Sequence, residues 1–387
     1  MMFKRTIFDA HHLELKDQVS GFLDSQVVPF HDHWAAQQAT PRDIWHQAGE
    51  NGLLCRTIPA EYGGHGGDFL ESVVVIEALA DRRISGILTC LQSDIVAPFI
   101  LKLGSEAQRK RWLPDFTCGA TLGAIAMTEP QGGSDISALT TTATSHGNSF
   151  VLNGTKTHIS NGSEADVIIV AARSDDPGAA NAQPAISLVM AETERQGTHR
   201  HAISKAGMPA LNTGQITYEN CVVPETNLLG AKGMGFIYLM TFLGIERLVL
   251  AIYAQAFAER LLYDLIADCD GRPTAEGTVL DYQNTRFSLA DLYSSCAVNR
   301  AFIDQCIVAA NAGHPDPKSA CMAKLRATET LRQIAALGVQ FRGAAGISGD
   351  SGQQAMQDMS DSAVQSVWGG TSEIMLDVIG RGLASVL

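Results

Sequence analysis

Two stretches of this chain carry residue types that could do chemistry. The first is Ala126-Met127-Thr128-Glu129-Pro130-Gln131-Gly132-Gly133-Ser134-Asp135, a short polar loop with two glycines. Its backbone amides and hydroxyls could hold a flat heterocycle and a diphosphate, and its place between a helical and a strand-like part favours a ligand pocket. The same composition also makes plain turns, so residue types alone leave both readings open. The second is Glu246, within Leu243-Gly244-Ile245-Glu246-Arg247-Leu248-Val249-Leu250-Ala251. A mainly apolar helix disfavours the charged form of a glutamate, which raises its pKa toward the working pH and suits a general base. A surface position, or pairing with a helical neighbour, would also explain a glutamate there.

Other chemistries lack their residues. No GxGxxG follows a strand-like run and opens a helix, so a Rossmann dinucleotide site is not supported. Gly230-Ala231-Lys232-Gly233-Met234-Gly235 has the glycines but follows a loop after Pro224, and reads as a turn. Pro59-Ala60-Glu61-Tyr62-Gly63-Gly64-His65-Gly66-Gly67 lacks the lysine and the strand-to-helix context of a phosphate loop. There is no HExxH, no GxSxG and no His/Cys metal spacing, so no metal is expected. Eight cysteines, at 55, 90, 118, 221, 269, 296, 306 and 321, form no CxxC pair and read as buried free thiols.

The elements that must position these residues fall into three parts. Residues 1–120 are mostly helical, with apolar spacings of three and four over 10–28 and 70–83. Residues 121–235 change to short β-type runs at 166–171, 186–190 and 215–218, and Asn153-Gly154 between two such runs signals a hairpin. No helices separate these strands, so an antiparallel sandwich or barrel is expected. Residues 236–387 return to helix, with long stripes over 241–267, 290–309 and 319–337; Gly271 and Pro273 end the first. The expected class is therefore α+β: an N-terminal helical domain, a central antiparallel β-domain and a C-terminal helical domain.

Length and composition agree with that outline. A chain of 387 residues that is 45% apolar can bury a large core divided among about two or three domains. Its formal charge of −13, from 28 Lys+Arg against 41 Asp+Glu, repels polyanions, so no nucleic-acid partner is expected. No apolar run approaches the ~20 residues that span a bilayer, so no membrane span is expected. Met1 to Asp9 lacks a secretory apolar region, and a cytoplasmic location is expected.

The 126–135 loop resembles the flavin signature of the acyl-CoA dehydrogenase family, and further resemblances run along nearly the whole chain. Ile58-Pro59-Ala60-Glu61-Tyr62-Gly63-Gly64 is similar to the family's first-domain loop, and Leu103-Gly104-Ser105-Glu106-Ala107-Gln108 to the stretch before its β-domain. Asn153-Gly154-Thr155-Lys156-Thr157-His158-Ile159-Ser160-Asn161-Gly162, with Ala165-Asp166, resembles its second flavin segment. Val223-Pro224 and Asn227-Leu228-Leu229-Gly230 resemble the end of that domain. Trp368-Gly369-Gly370-Thr371-Ser372-Glu373-Ile374 resembles the C-terminal signature.

The resemblance implies a C-terminal four-helix bundle, a bound FAD, and α,β-dehydrogenation of an acyl thioester carried on coenzyme A or an acyl carrier protein. Ile125, Met127, Thr128, Gly133 and Ser134 would bind the flavin, Met127 and Thr128 near the ring's polar edge and Ser134 at the diphosphate side and the acyl carrier, while His158, Ile159 and Ser160 would lie against the ring, Ser160 near the reactive nitrogen. Arg272, Thr274, Gln283, Gln340, Gly343 and Ala344 would reach the FAD of a neighbouring subunit in a homotetramer, and Thr371 and Glu373 would close the adenine side. In much of the family a glutamate immediately before the glycine-threonine of the C-terminal signature is the base. Here that position is Gly369, which cannot take a proton. Glu246 matches the Glu-Arg-Leu stretch from which isovaleryl and long-chain branches supply theirs, so the resemblance assigns it the α-proton. Gly369 and Gly370 would meet the thioester, and Arg247 the carrier. An electron-transfer flavoprotein is the implied acceptor. Two other readings keep the fold: an oxidase or monooxygenase using oxygen, and a non-catalytic interaction protein. His158 stands where the family usually has a flat hydrophobe, Glu276 and Ala344-Ala345 where it favours glycine, and Ser360 where an arginine is usual.

Overall fold

Polar caps and apolar stripes build the first domain. The computed structural model describes residues 5–174 and 185–383, so Met1 to Lys4 of the leading segment and residues 384–387 of the third part lie outside the described residues. Helix α1 (Ala10–Gln26) starts behind Asp9, whose carboxylate accepts from the His11 and His12 amides, and it buries Leu15, Val19, Phe22 and Leu23. The stripe expected to run unbroken through 28 stops at Val27, because Pro29 opens a second helix, α2 (Val28–Gln37). Helices α3 (Asp43–Glu50) and α4 (Phe69–Asp81) follow, the latter capped by Asp68. A π-helical turn, Leu91–Val96, leads into α5 (Ala97–Leu103), and a Ser105/Gln108 capping box starts α6 (Glu106–Thr117).

The strands are β1 (Gly123–Ala126), β2 (Thr142–His146), β3 (Ser149–Ser160), β4 (Val167–Ser174), β5 (Ile186–Glu192), β6 (Thr198–Ala202), β7 (Thr213–Pro224) and β8 (Leu228–Leu229). They form one sheet in the order β6-β7-β3-β2-β4-β5-β8, with β1 also on β4. Most pairs are antiparallel, but β1–β4 and β2–β4 are parallel, so the sheet is mixed rather than purely antiparallel. The excursion through β2 and β3 gives the chain enough length to return to β4 in the same direction. The hairpin expected at Asn153-Gly154 is not formed. Strand β3 runs straight through it, Gly154 takes φ +140°, and the register with β7 shifts between Leu152 and Gly154. The glycine serves as a bulge where a side chain would run into Thr141. The true turn is Gly147-Asn148, between the paired residues His146 and Ser149.

The third domain begins with α7 (Gly235–Gly271), six residues earlier than the stripe at 241 indicates. A small hairpin, β9 (Pro273–Thr274) and β10 (Gly277–Thr278), leads to α8 (Gln283–Asn311), α9 (Pro317–Arg342), α10 (Gly349–Gln365) and α11 (Ser372–Arg381). Helices α7 to α10 pack as a bundle and α11 lies on α9. By length and composition α7 could cross a bilayer, contrary to the expectation that no run approaches that length. A buried central helix meets the same test, and α7 packs against α4, α8 and α9.

One apolar core unites the first and third domains and takes in one face of β4 and β5, while a second lies on the sheet's other face. Charges buried at the first seam are paired. Glu77 of α4 accepts from Arg5 and from Arg300 of α8, both at 2.6 Å, and Arg300 also donates to Glu259 of α7 at 2.7 Å. All eight cysteines are free; Cys118 is exposed, against expectation, and the other seven are buried.

Candidate active site

Glu246 sits mid-helix on α7, half-buried, four residues before Leu250 on the same face. Opposite it lies the turn before α11. Gly369 has φ +59° and Gly370 φ +94°, left-handed values that glycine adopts at little cost. A Cβ placed on Gly369 would run into Leu250 Cδ1 and lie 3.5 Å from Glu246 Oε1. The carboxylate on α7 therefore reaches the space that a side chain at 369 would enter. Burial pushes the Glu246 carboxyl up to about 7, against the opposing pull of Arg247 and Lys324. The Gly369 N–H donates to no acceptor among the described residues, which leaves it available to a ligand carbonyl. Arg247, expected at the carrier, is buried, and its Nη1 lies 3.2 Å from Cys321 Sγ on α9.

Strand β1 carries half-buried Ile125 to the 127–135 loop, whose frame is a buried ion pair. Lys156 Nζ donates to Glu129 Oε1 at 2.7 Å and to the Met127 carbonyl at 3.0 Å. Glu129 also accepts from the Thr140 and Thr141 amides and the Thr140 hydroxyl. Although burial works against ionisation, the hydrogen bonds from Lys156, Thr141 and Thr140 hold the Glu129 carboxyl well below the usual range. This frame leaves Met127 and Thr128 half-buried and Gly133 and Ser134 exposed at the loop's outer edge.

The second predicted segment lies beside the first. The Thr157 amide donates to the Thr128 carbonyl at 3.0 Å. There β3 breaks register with β7 between Lys156 and Ile159, and His158 takes φ +55°. This bulge turns His158 out to solvent, keeps Ile159 in the core and leaves Ser160 half-buried. Flat side chain, backbone groups and hydroxyls thus share one edge of the sheet. That donor set fits a planar ring with a polar rim, as expected of FAD.

A chain of contacts joins this edge to the Glu246 turn. The Asn161 amide donates to the Asn212 carbonyl at 2.5 Å; in the same loop Met208 Sδ lies 3.3 Å from Gln365 Nε2, and Gln365 Oε1 accepts from Trp368 Nε1 at 3.2 Å. Trp368 immediately precedes Gly369.

The remaining predicted residues divide between two places. Thr371 caps α11, its hydroxyl accepting from the Ile374 amide, with Glu373 exposed in the first turn. Arg272 donates to the Phe341 carbonyl, which brings the β9–β10 hairpin and Thr274 against the 340–344 turn. Gln283, Gln340, Gly343 and Ala344 are exposed there, away from the Glu246 turn in the hydrogen-bond pattern.

Lys324 was not singled out from the sequence, yet it is 1% exposed and donates to the Gly370 carbonyl at 2.6 Å. Its signal lay in the stripe Ala320, Ala323, Ala327, Leu331 on α9: a lysine on that face falls in the core and needs a partner.

Three family models match the chain: acyl-CoA dehydrogenase N-terminal domain at residues 9–120, middle domain at 124–221 and C-terminal domain at 233–384. The chain is 34% identical over 382 residues to the mitochondrial long-chain specific acyl-CoA dehydrogenase of Rattus norvegicus, covering 98% of this chain and 88% of that protein. It is 31% identical over 379 residues to the mitochondrial isovaleryl-CoA dehydrogenase of Pongo abelii, covering 95% and 87%. A solved acyl-CoA dehydrogenase from Geobacillus kaustophilus superposes with a TM-score of 0.93 at 35% identity, over 97% of this chain and 98% of that one.

Proposed function

The chain belongs to the acyl-CoA dehydrogenase family, and from that premise we propose that Glu246 is the base that removes the α-proton of its acyl thioester substrate. The enzyme is an oxidoreductase acting on the CH–CH bond of an acyl thioester. The observation that carries the base assignment is the meeting of Glu246 Oε1 with the direction in which a side chain on Gly369 would project. FAD, when bound, supplies the acceptor for the two electrons and hydrogen that leave the β-carbon.

The chain's own groups do the rest. The α C–H bond breaks and its proton passes to a Glu246 carboxylate oxygen, while the bonding pair forms the new double bond as the β-hydride departs. A carboxyl held near 7 is half ionised at neutral pH, and is strong enough as a base yet able to release its proton afterwards. The Gly369 N–H, with no acceptor among the described residues, can polarise the thioester carbonyl and acidify the α-carbon. Leu250 packs at the turn and limits water there. Met127, Thr128, Ser134 and the His158–Ser160 bulge would hold and orient the ring.

The exposed group formed by Arg272, Thr274, Gln283, Gln340, Gly343 and Ala344 would serve FAD in a neighbouring subunit of a homotetramer. In support, Arg272 ties its two segments together, and nearby α8 exposes Phe287, Val298 and Phe302. The electron acceptor in this reading is an electron-transfer flavoprotein.

The test is anaerobic mixing of FAD-loaded protein with a panel of acyl thioesters while flavin absorbance is followed. Glu246→Gln, nearly isosteric, is expected to slow bleaching by about 10²–10⁴-fold with flavin still bound. Bleaching at the parental rate would remove Glu246 from the mechanism.

A further inference from the structure

Lys324 lies across from the same turn, on α9, with its ammonium closed off from solvent. An ammonium carries three donors. One is spent on the Gly370 carbonyl at 2.6 Å, and no other acceptor takes a second among the described residues. The groups that face it electrostatically are Glu246 and Arg247 of α7 and Cys321 and Glu329 of its own helix. Those that face Glu246 are Arg247 and Lys324. A neutral donor would hold one carbonyl as well, and burying a full charge for that purpose alone is unfavourable.

We propose that Lys324 is a positioning residue that clamps the Gly369–Gly370 turn onto α9 and holds a positive charge beside the Glu246 carboxylate. The clamp fixes the direction of the Gly369 N–H. The charge offsets part of the burial that favours the acid, so the carboxylate is half ionised at neutral pH rather than largely protonated. Lys324 gives up no proton in the reaction; the α-proton goes to Glu246. Burial lowers the Lys324 ammonium to about 8, with Glu246 opposing, so it stays mostly charged at neutral pH. The inference rests on the reading of Glu246 as base.

Two variants separate clamp from charge in the FAD-loaded protein. Lys324→Gln retains a donor for the Gly370 carbonyl without the charge, and Lys324→Arg retains the charge. The first readout is the infrared carboxyl band of Glu246, assigned by its loss in Glu246→Gln and titrated without substrate. The second is the pH profile of flavin bleaching by isovaleryl-CoA and dodecanoyl-CoA. Removing a neighbouring cation disfavours the ionised carboxylate, so Lys324→Gln should move the Glu246 titration and the acidic limb upward by about one pH unit. Lys324→Arg should leave both in place. A band titrating at the parental pH in Lys324→Gln, even with slower bleaching, overturns the proposal. Should that variant fail to fold, a one-unit rise in Lys324→Arg, where the charge persists, overturns it too. Because the infrared titration needs no turnover, it stays informative even if Glu246→Gln bleaches normally and the base assignment falls.

Discussion

If Glu246 Oε1 occupies the space toward which residue 369 points, the base should be transferable. The perturbation is Glu246→Ala combined with Gly369→Glu. A Cβ at 369 starts 3.5 Å from the present carboxylate oxygen, so a glutamate side chain there can reach the substrate's α-carbon from the other side of the turn. Two penalties oppose it. A non-glycine residue at φ +59° costs about 1–2 kcal/mol, and Leu250 Cδ1 must swing away, an off-rotamer adjustment of about 1 kcal/mol. If all of this strain entered the barrier, at 1.36 kcal/mol per decade the double variant would run roughly 30- to 150-fold below the parent. Glu246→Ala alone should fall about 10²–10⁴-fold. The expected order is parent, then double variant, then single variant, with Leu250→Ala added to the double variant restoring part of the difference. The assay is anaerobic flavin bleaching at saturating thioester, with flavin content and unfolding midpoint measured on each protein. A folded, flavin-bound double variant no faster than Glu246→Ala would refute the shared-space argument.

Two further outcomes follow from buried charges. Lys156→Met strands the Glu129 carboxylate in a buried site, which should destabilise the protein by about 3–5 kcal/mol in denaturant unfolding and empty it of flavin; unchanged stability would mean the pair does not frame the loop. Asp94, buried in the π-helical turn, is raised by burial from 3.8 to about 7, with only Ser72 opposing. A carboxyl raised in the folded state contributes stability below its unfolded pKa and loses it as pH rises through about 7. Relative to the parent, Asp94→Asn should therefore gain on the order of 4 kcal/mol between pH 4 and pH 8; equal unfolding free energies at both pH values would rule out that burial penalty.

The sequence pattern exposes the site's parts more readily than their assembly. Glu246 is legible because its neighbours are apolar over two helical turns and because glycine occupies 369. The helix–sheet–helix order is legible from a change of period at each boundary. Asn153-Gly154 misleads because a local turn signal cannot register that Leu152 and Thr155, on either side of it, are held by Cys221 and Thr217 in a long strand pairing, where the glycine is needed as a bulge. Parallel pairing of β1 with β4 leaves no local mark either, since strand direction is decided across more than forty residues. Lys324 contacts a carbonyl 46 residues away, and only its place on an apolar stripe hints at burial. The His158 bulge is likewise set by its partner strand.

The shared core of the outer two domains has a consequence for biosynthesis. Glu77 is emitted early from the ribosome after one partner, Arg5, but its second, Arg300 of α8, follows 223 residues later. Until then the apolar flank of α4 that packs on α7 has nothing to rest against. One face of the sheet covers an interior of its own, but the other face of β4 and β5 rests on the helical core, so the inner face can settle before that core is complete. Nascent chains should therefore pass through a stage with a half-covered sheet and an unfinished beginning, and chaperone capture should concentrate on the leading helices and the outer face of β4 and β5 until α7 and α8 emerge.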